Sequence, residues 1–281
     1  MSLPARSEID HTAGRPQGWD DADWDLRRWV EDVVDRLWEL RGVVGVYLHG
    51  SLATGTFFRP KSDVDLLAVV ERPLDPTAHR PLAADLLRLH DRRPITGGLE
   101  MSVIRAPLGG LRPPLPFEHH FSEIWADQIR AGGVGPDGVD PDLAAHCAMA
   151  RLRGRCLRGA PATETIPALP DGAMLDAAIG DATLILGGGI VESPFYGVLN
   201  LCRTVQLVVD QPTLPPSKVD GALWALDHLP AKHHPVIEAA LACYRSAAPV
   251  EERHRRVHGH TWDQAPLRDF AAQAETLLRT G

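Results

Sequence analysis

Cysteine is scarce in this chain. Four cysteines in 281 residues, Cys147, Cys156, Cys202 and Cys243, are scattered and form no C-x-x-C pair. That usage excludes a disulfide scaffold and fits a reduced, intracellular protein. Three of them lie in apolar helical patterns and read as core. Lysine is also rare, and acids outnumber bases to leave a net charge of −8. A general nucleic-acid binder normally carries a basic face, so its absence argues against that class while remaining compatible with a cationic small-molecule partner. No segment approaches the length of a membrane-spanning helix. Met1 to Gly18 lack the apolar core of an export signal and read as a disordered lead-in, which predicts a cytoplasmic location. Internal repeats and low-complexity tracts are absent.

What the chain does have is enough apolar residues, 44%, for a substantial core without disulfides. Asp23 to Leu40 carries Leu26, Trp29, Val30, Val33, Val34, Leu37 and Trp38 at helical spacing. Val43 to Leu48 and Val64 to Val70 read as strands, Thr77 to His90 as a helix, and Gly98 to Ile104 as a third strand. Phe117 to Arg130 reads as partly helical. Pro141 to Arg158 reads as a helix, with Asp140 as N-cap and Pro141 at the first helical position. Gly159 to Gly172, with three prolines, is the best linker. From Ala173 onward only helices are expected: Ala173 to Leu186, Phe195 to Val209, Val219 to Leu229, Pro235 to Ala247 and Leu267 to Arg279. The predicted fold is α+β. A mixed sheet with helices spans residues 19–165 after the lead-in 1–18, and an all-helical bundle spans 166–281.

The most informative stretch is Leu48-His49-Gly50-Ser51-Leu52-Ala53-Thr54-Gly55, followed by Ser62-Asp63-Val64-Asp65-Leu66. Residues two apart on a strand point the same way, so Asp63 and Asp65 project side by side. Two like charges that close are costly unless a cation lies between them. Mg²⁺ is the natural cation for such oxygen ligands, and it completes its octahedron with phosphate and water. Gly50 and Ser51 let the backbone approach a phosphate chain. Glu100 is a third acid, mid-strand, on the face opposite Leu99, Met101 and Val103. It is placed either to reach the same cation or to accept the proton of an attacking hydroxyl.

The pattern G-S-x₃-G followed by S-D-x-D resembles the nucleotidyltransferase superfamily of DNA polymerase β. A narrower resemblance, from about Gly45 to Leu229 and more weakly beyond, is to the aminoglycoside adenylyltransferases of the spectinomycin and streptomycin type. It rests on Glu100 in G-L-E-M-S-V, on Leu199-Asn200-Leu201-Cys202-Arg203, on Pro216-Ser217-Lys218, on Leu229-Pro230, and on Pro235-Val236-Ile237 followed by Tyr244. The resemblance implies Mg²⁺-dependent transfer of AMP from ATP to a hydroxyl of an aminoglycoside or aminocyclitol, with pyrophosphate released. It implies that Asp63, Asp65 and Glu100 hold metal, with Glu100 as base. Gly50, Ser51, Ser62, Asp142, Arg203, Lys218 and Tyr244 then bind the nucleotide, and Glu123, Trp125, Asp127 and Glu192, with Glu118, are acceptor-pocket candidates. Before the Asn-Arg helix, streptomycin-binding members carry a Trp and acids. Here Leu186 to Pro194 offers Glu192 alone, which favours spectinomycin over the more cationic streptomycin.

Two other readings of the same residues are a nucleotidyltransferase acting on a protein or RNA acceptor, as in toxin–antitoxin systems, and a non-catalytic nucleotide-binding module. A monomer is the default assembly. His254, His258 and His260 have metal-like spacing, but neighbouring arginines oppose a cation there. His119-His120 and His233-His234 read as surface or capping pairs, and Trp29, Trp38 and Trp224 as core.

Overall fold

In a computed structural model the described residues are 15–107, 112–251 and 256–280. Most of the expected lead-in and His254 therefore lie outside the described residues. Two compact units are present, Pro16–Ala178 and a second from Ile179 onward.

In the first unit, α1 (Trp24–Trp38) buries Leu26, Trp29, Val30, Val33, Val34 and Leu37, the stripe its apolar spacing defines. It leads into β1 (Val43–His49), the short α2 (Gly50–Thr54), β2 (Val64–Val70), α3 (His79–Asp91) and β3 (Leu99–Arg105). Next come β4 (Leu115–Pro116), β5 (His119–Phe121), α4 (Ala126–Arg130), β6 (Val139–Asp140), α5 (Leu143–Arg153), β7 (Arg155–Gly159) and α6 (Ala162–Thr165). The main sheet has the order β5-β3-β2-β1-β7. Only β2 and β3 run parallel; the other neighbours are antiparallel.

Both faces of the sheet are covered, which explains why its strands are apolar on both sides. On one face Leu48, Leu66, Ala68, Met101 and Val103 pack in one core with the apolar stripes of α1 and α3. On the other, Tyr47, Leu67, Val69 and Ile104 pack with Leu143, Ala144 and Cys147 of α5. Asp65 and Glu100 share the parity of this second face and stand where its apolar cover ends.

Several expectations are corrected here. Pro141 to Arg158 is not one helix: α5 is capped at Asp142 and stops at Gly154, after which the chain turns into β7. Alternation is hard to read in β7 because it is an edge strand with Arg155, Cys156 and Arg158 exposed or half-exposed. The segment before α4 contains β5, whose histidines are buried. His119 is 2% exposed and His120 9%. Trp38 is 38% exposed, and the Arg158 guanidinium lies 5.7 Å from its ring centroid.

The second unit contains the second half of α7 (Ala173–Leu184), then α8 (Ile190–Glu192), α9 (Pro194–Asp210), α10 (Lys218–His228), α11 (His234–Arg245) and α12 (Gln264–Thr280). It also contains a small pair, β8 (Val250–Glu251) with β9 (Arg256–Val257), so the C-terminal half is not purely helical. Ala173–Glu192 forms 20 residues apolar enough to cross a membrane by length and composition, against expectation. A π turn at Ile185–Gly189 and Gly188 at φ +127° interrupt that run, so a span of this kind is weak evidence for a membrane. His233 is also buried, against the ring of Phe270.

α9 is the central helix, packed by α10, α11 and α12. A Cβ on Gly221 of α10 would stand 2.5 Å from the Arg203 Cα, so the two backbones meet with no side chain between them. Gly221→Ala is expected to cost about 1–3 kcal/mol through overpacking, read as a melting temperature several degrees lower in calorimetry.

Burial also sets an acid limit on the first unit. Burial, aided by Arg93, pulls the His90 pKa down to about 4, and burial beside His79 pulls His119 down to about 3. Both stay neutral in the folded chain while the unfolded chain takes protons from about pH 6.5 downward. Their stabilisation is therefore complete above that pH. It is lost toward pH 4 at about 1.4 kcal/mol per pH unit for each histidine. Denaturant midpoints should fall between pH 7 and pH 5, and a flat profile would contradict this account.

Candidate active site

The site begins with strand register. His49 on β1 pairs with Asp65 on β2, and Asp65 pairs with Glu100 on β3. Lateral neighbours in a sheet project from the same face, so a histidine and two carboxylates form one row across three adjacent strands. The chain reverses at Gly50, where φ is +64°. A Cβ there would stand 1.9 Å from the Asp65 Oδ2, so only glycine lets the turn lie against that carboxylate.

Asp63 is held from the opposite side. Its Oδ1 accepts the Gly98 N–H at 2.7 Å, and a Cβ on Gly97 would meet the Ser62 carbonyl at 2.0 Å. Ser62 is buried, with its hydroxyl accepting the Phe58 N–H at 2.9 Å, so it braces the turn that delivers the acids. Ser51 is the second residue of α2, and its carbonyl receives the Thr56 N–H at 3.0 Å.

Histidines supply the surroundings, and motif reading missed them. The His49 ring lies 5.1 Å from that of His146 on α5. Burial, then His146, hold the His49 pKa well below its ordinary value, so it is neutral beside Asp65. Ser102 Oγ and His120 Nδ1 are 2.9 Å apart, two residues along from Glu100. Burial lowers the His120 pKa against an opposing pull from Glu100. A single Leu-His-Gly-Ser string gives no hint of the partner ring on α5. Asp142 takes the N-cap position of α5 without a side-chain cap hydrogen bond, its carbonyl accepts the His146 N–H at 3.1 Å, and α5 packs against α2 and β1.

Among the described residues no group of three or more His, Cys, Asp or Glu side chains is gathered into a metal cage. The expected trio is thus not a closed ligand set. One Asp63 oxygen is committed to Gly98, while Asp65 and Glu100 stand side by side. Two adjacent carboxylates with room for other oxygens fit Mg²⁺, which keeps waters and phosphate oxygens rather than an all-protein cage.

The acceptor candidates separate. Glu123 lies by the acids: its Oε2 and Asp63 Oδ1 are 3.4 and 3.6 Å from the point where a Gly98 side-chain carbon would stand. Trp125 is half-buried against the core shared by α1 and α3. Asp127 does not join the site; its side chain is 98% exposed and pairs with Arg130. Glu118 receives the Leu74 N–H at 3.0 Å and faces Arg105. Glu192 is exposed in the second unit, where its carbonyl accepts from Arg256. In that unit the α9–α10 crossing brings Arg203 next to the first turn of α10, which opens with Lys218. The Lys218 ammonium lies 4.4 Å from the Tyr196 ring centroid, and Tyr244 is buried on α11.

A mixed sheet with a glycine-serine turn over paired acids, followed by a helical region, defines a nucleotidyltransferase. The family model described as "Nucleotidyltransferase domain" matches residues 27–96, and "Aminoglycoside adenylyltransferase, C-terminal domain" matches 164–261. An aminoglycoside (3'') (9) adenylyltransferase of Shigella flexneri is 30% identical over 253 residues, covering 82% of this chain and 94% of that protein. A spectinomycin 9-adenylyltransferase of Campylobacter jejuni is 28% identical, covering 72% and 78%. In fold the chain is similar to the spectinomycin adenyltransferase AAD(9) from Enterococcus faecialis, solved with ATP and spectinomycin. The TM-score is 0.71 at 16% identity, over 92% of this chain and all of that one. The chain belongs to the aminoglycoside adenylyltransferase family.

Gly50→Ala is expected to displace the Asp65 carboxylate and lower kcat by about 10²-fold or more, with unchanged circular dichroism as the check that the fold persists.

Proposed function

We propose that this enzyme transfers AMP from ATP to a hydroxyl of an aminoglycoside or aminocyclitol, releasing pyrophosphate, with Mg²⁺ as cofactor and spectinomycin-type acceptors preferred to streptomycin. The observation that carries the reading is the row of Asp65 and Glu100 on adjacent strands under the Gly50 turn, in a chain whose relatives are adenylyltransferases over most of their length.

In this reading Asp63 and Asp65, with Glu100, hold Mg²⁺, which when bound neutralises charge on the triphosphate. Glu100 accepts the proton of the attacking hydroxyl. Neutral His49 adds no positive charge to compete for the Asp65 carboxylate. Gly50, Ser51, Ser62, Asp142, Arg203, Lys218 and Tyr244 are the residues assigned to the nucleotide. Arg offers a planar fork to phosphate and Lys a point charge. Glu123 is the acceptor-side acid. A cytoplasmic location accords with the cysteine usage, and a monomer is the default assembly.

The test is pyrophosphate release from ATP and Mg²⁺ over an antibiotic panel. Turnover with an aminocyclitol is expected. Asp65→Ala should abolish it, and Glu100→Gln should lower kcat by about 10²–10⁴-fold with little change in the KM for ATP. AMP found on protein or RNA without antibiotic turnover would overturn the acceptor assignment. ATP binding without pyrophosphate release would overturn catalysis.

A further inference from the structure

The segment that leads into α9 has little in its own sequence to hold it. Gly187, Gly188 and Gly189 close the π turn that begins at Ile185, and Gly188 takes a φ of +127°. Side-chain carbons placed on Gly187 or Gly188 would meet nothing within 4 Å, and glycine leaves the backbone its greatest freedom. α8 follows with only three residues, too short to persist on its own hydrogen bonds. Its inner side is held by packing: Ile190 is buried, and a Cβ on Gly197 of α9 would stand 3.0 Å from the Ile190 Cα. Its outer end is held by a side chain 64 residues further along the chain. Arg256 Nε donates to the Glu192 carbonyl at 3.1 Å, and a terminal nitrogen donates to the Val191 carbonyl at 2.8 Å. These are the last two carbonyls of α8, groups that a helix end leaves without an intrahelical partner. Bonds from a charged donor are the stronger kind. Arg256 is itself fixed by its strand, since β9 pairs with β8 and the adjoining Val257 is buried.

We propose that Arg256 is a positioning residue for the acceptor, acting through Glu192. This rests on the functional reading above, with Glu192 as the acid that the segment before α9 offers to an amine of the acceptor. Glu192 is exposed, so its carboxylate is placed by its backbone and not by burial. That backbone follows a run of three glycines, and the Arg256 fork ties it down at the residue itself. Without the tie the acid samples more positions, and an acceptor that docks on it must order the segment first. Ordering of this kind weakens binding without touching the reacting groups. The cost therefore falls on the acceptor alone, not on ATP or on the chemical step.

The test measures kcat and the KM values for ATP and spectinomycin by pyrophosphate release. Arg256→Ala should raise the KM for spectinomycin about three- to tenfold and leave kcat and the KM for ATP within about twofold of wild type. Arg256→Lys keeps a charged donor for one carbonyl and should recover part of that loss. Glu192→Gln should also raise the spectinomycin KM. Adding Arg256→Ala to it should raise that KM little further, because the two residues act on one contact. A merely structural Arg256 predicts a lower melting temperature, with kcat and both KM values moved together or not at all. That result, or an Arg256→Ala penalty that adds in full to that of Glu192→Gln, would overturn the assignment to Arg256. A wild type that turns over no aminocyclitol would overturn the functional reading instead.

Discussion

The site depends on bare backbone lying against a carboxylate. At Gly50 the chain leaves β1 and passes so near Asp65 that a methyl group would overlap the Oδ2. That closeness exists because β1 and β2 are antiparallel neighbours in tight register, with His49 opposite Asp65. Parallel pairing then sets Glu100 beside Asp65. A one-residue slip in either pairing would turn a carboxylate into the opposite core. The apolar packing on both faces of the sheet therefore fixes the acids as firmly as any contact they make themselves.

The sheet buries neutral imidazoles on both faces, His49 and His120 on the face of the row and His119 on the other. His49, His90, His119 and His120 are all buried, and burial is the first cause of lowered pKa in each. Neutral rings fill space and hydrogen-bond without discharging the acids. The Arg93 guanidinium is tied to loop carbonyls and Glu123. The electrostatics are thus divided: acids along the strand row, buried neutral rings on both faces of the sheet, and a restrained guanidinium on Glu123.

Much of this was legible in the sequence because it is local. The bounds of β2 are Val64 and Val70, as its apolar run implies, and the same-face placement of Asp65 and Glu100 follows from alternation once the two strands are neighbours. Other features were not legible because their causes are non-local. β5 and β7 are edge strands stabilised by one neighbour each, so neither shows clean alternation, and the helical spacing of α5 ran on into β7. His119 and His120 look like surface residues until the ring of His79 and the hydroxyl of Ser102 are brought to them by folding. Trp38 obeys a helical period yet lies at the end of α1, where the packing partner has run out. Asp127 lies one turn past Glu123, but α4 points it away from the acids.

The outer border of the sheet carries a further consequence. β7 presents Arg155 and Arg158, tied to Asp20 and Asp35 at 2.7 Å each. A foreign strand zipping onto that border would have to pry apart both pairs and strip water from four charges before gaining its first rung of hydrogen bonds. The charged rim therefore disfavours ribbon-like pairing at this edge of the sheet.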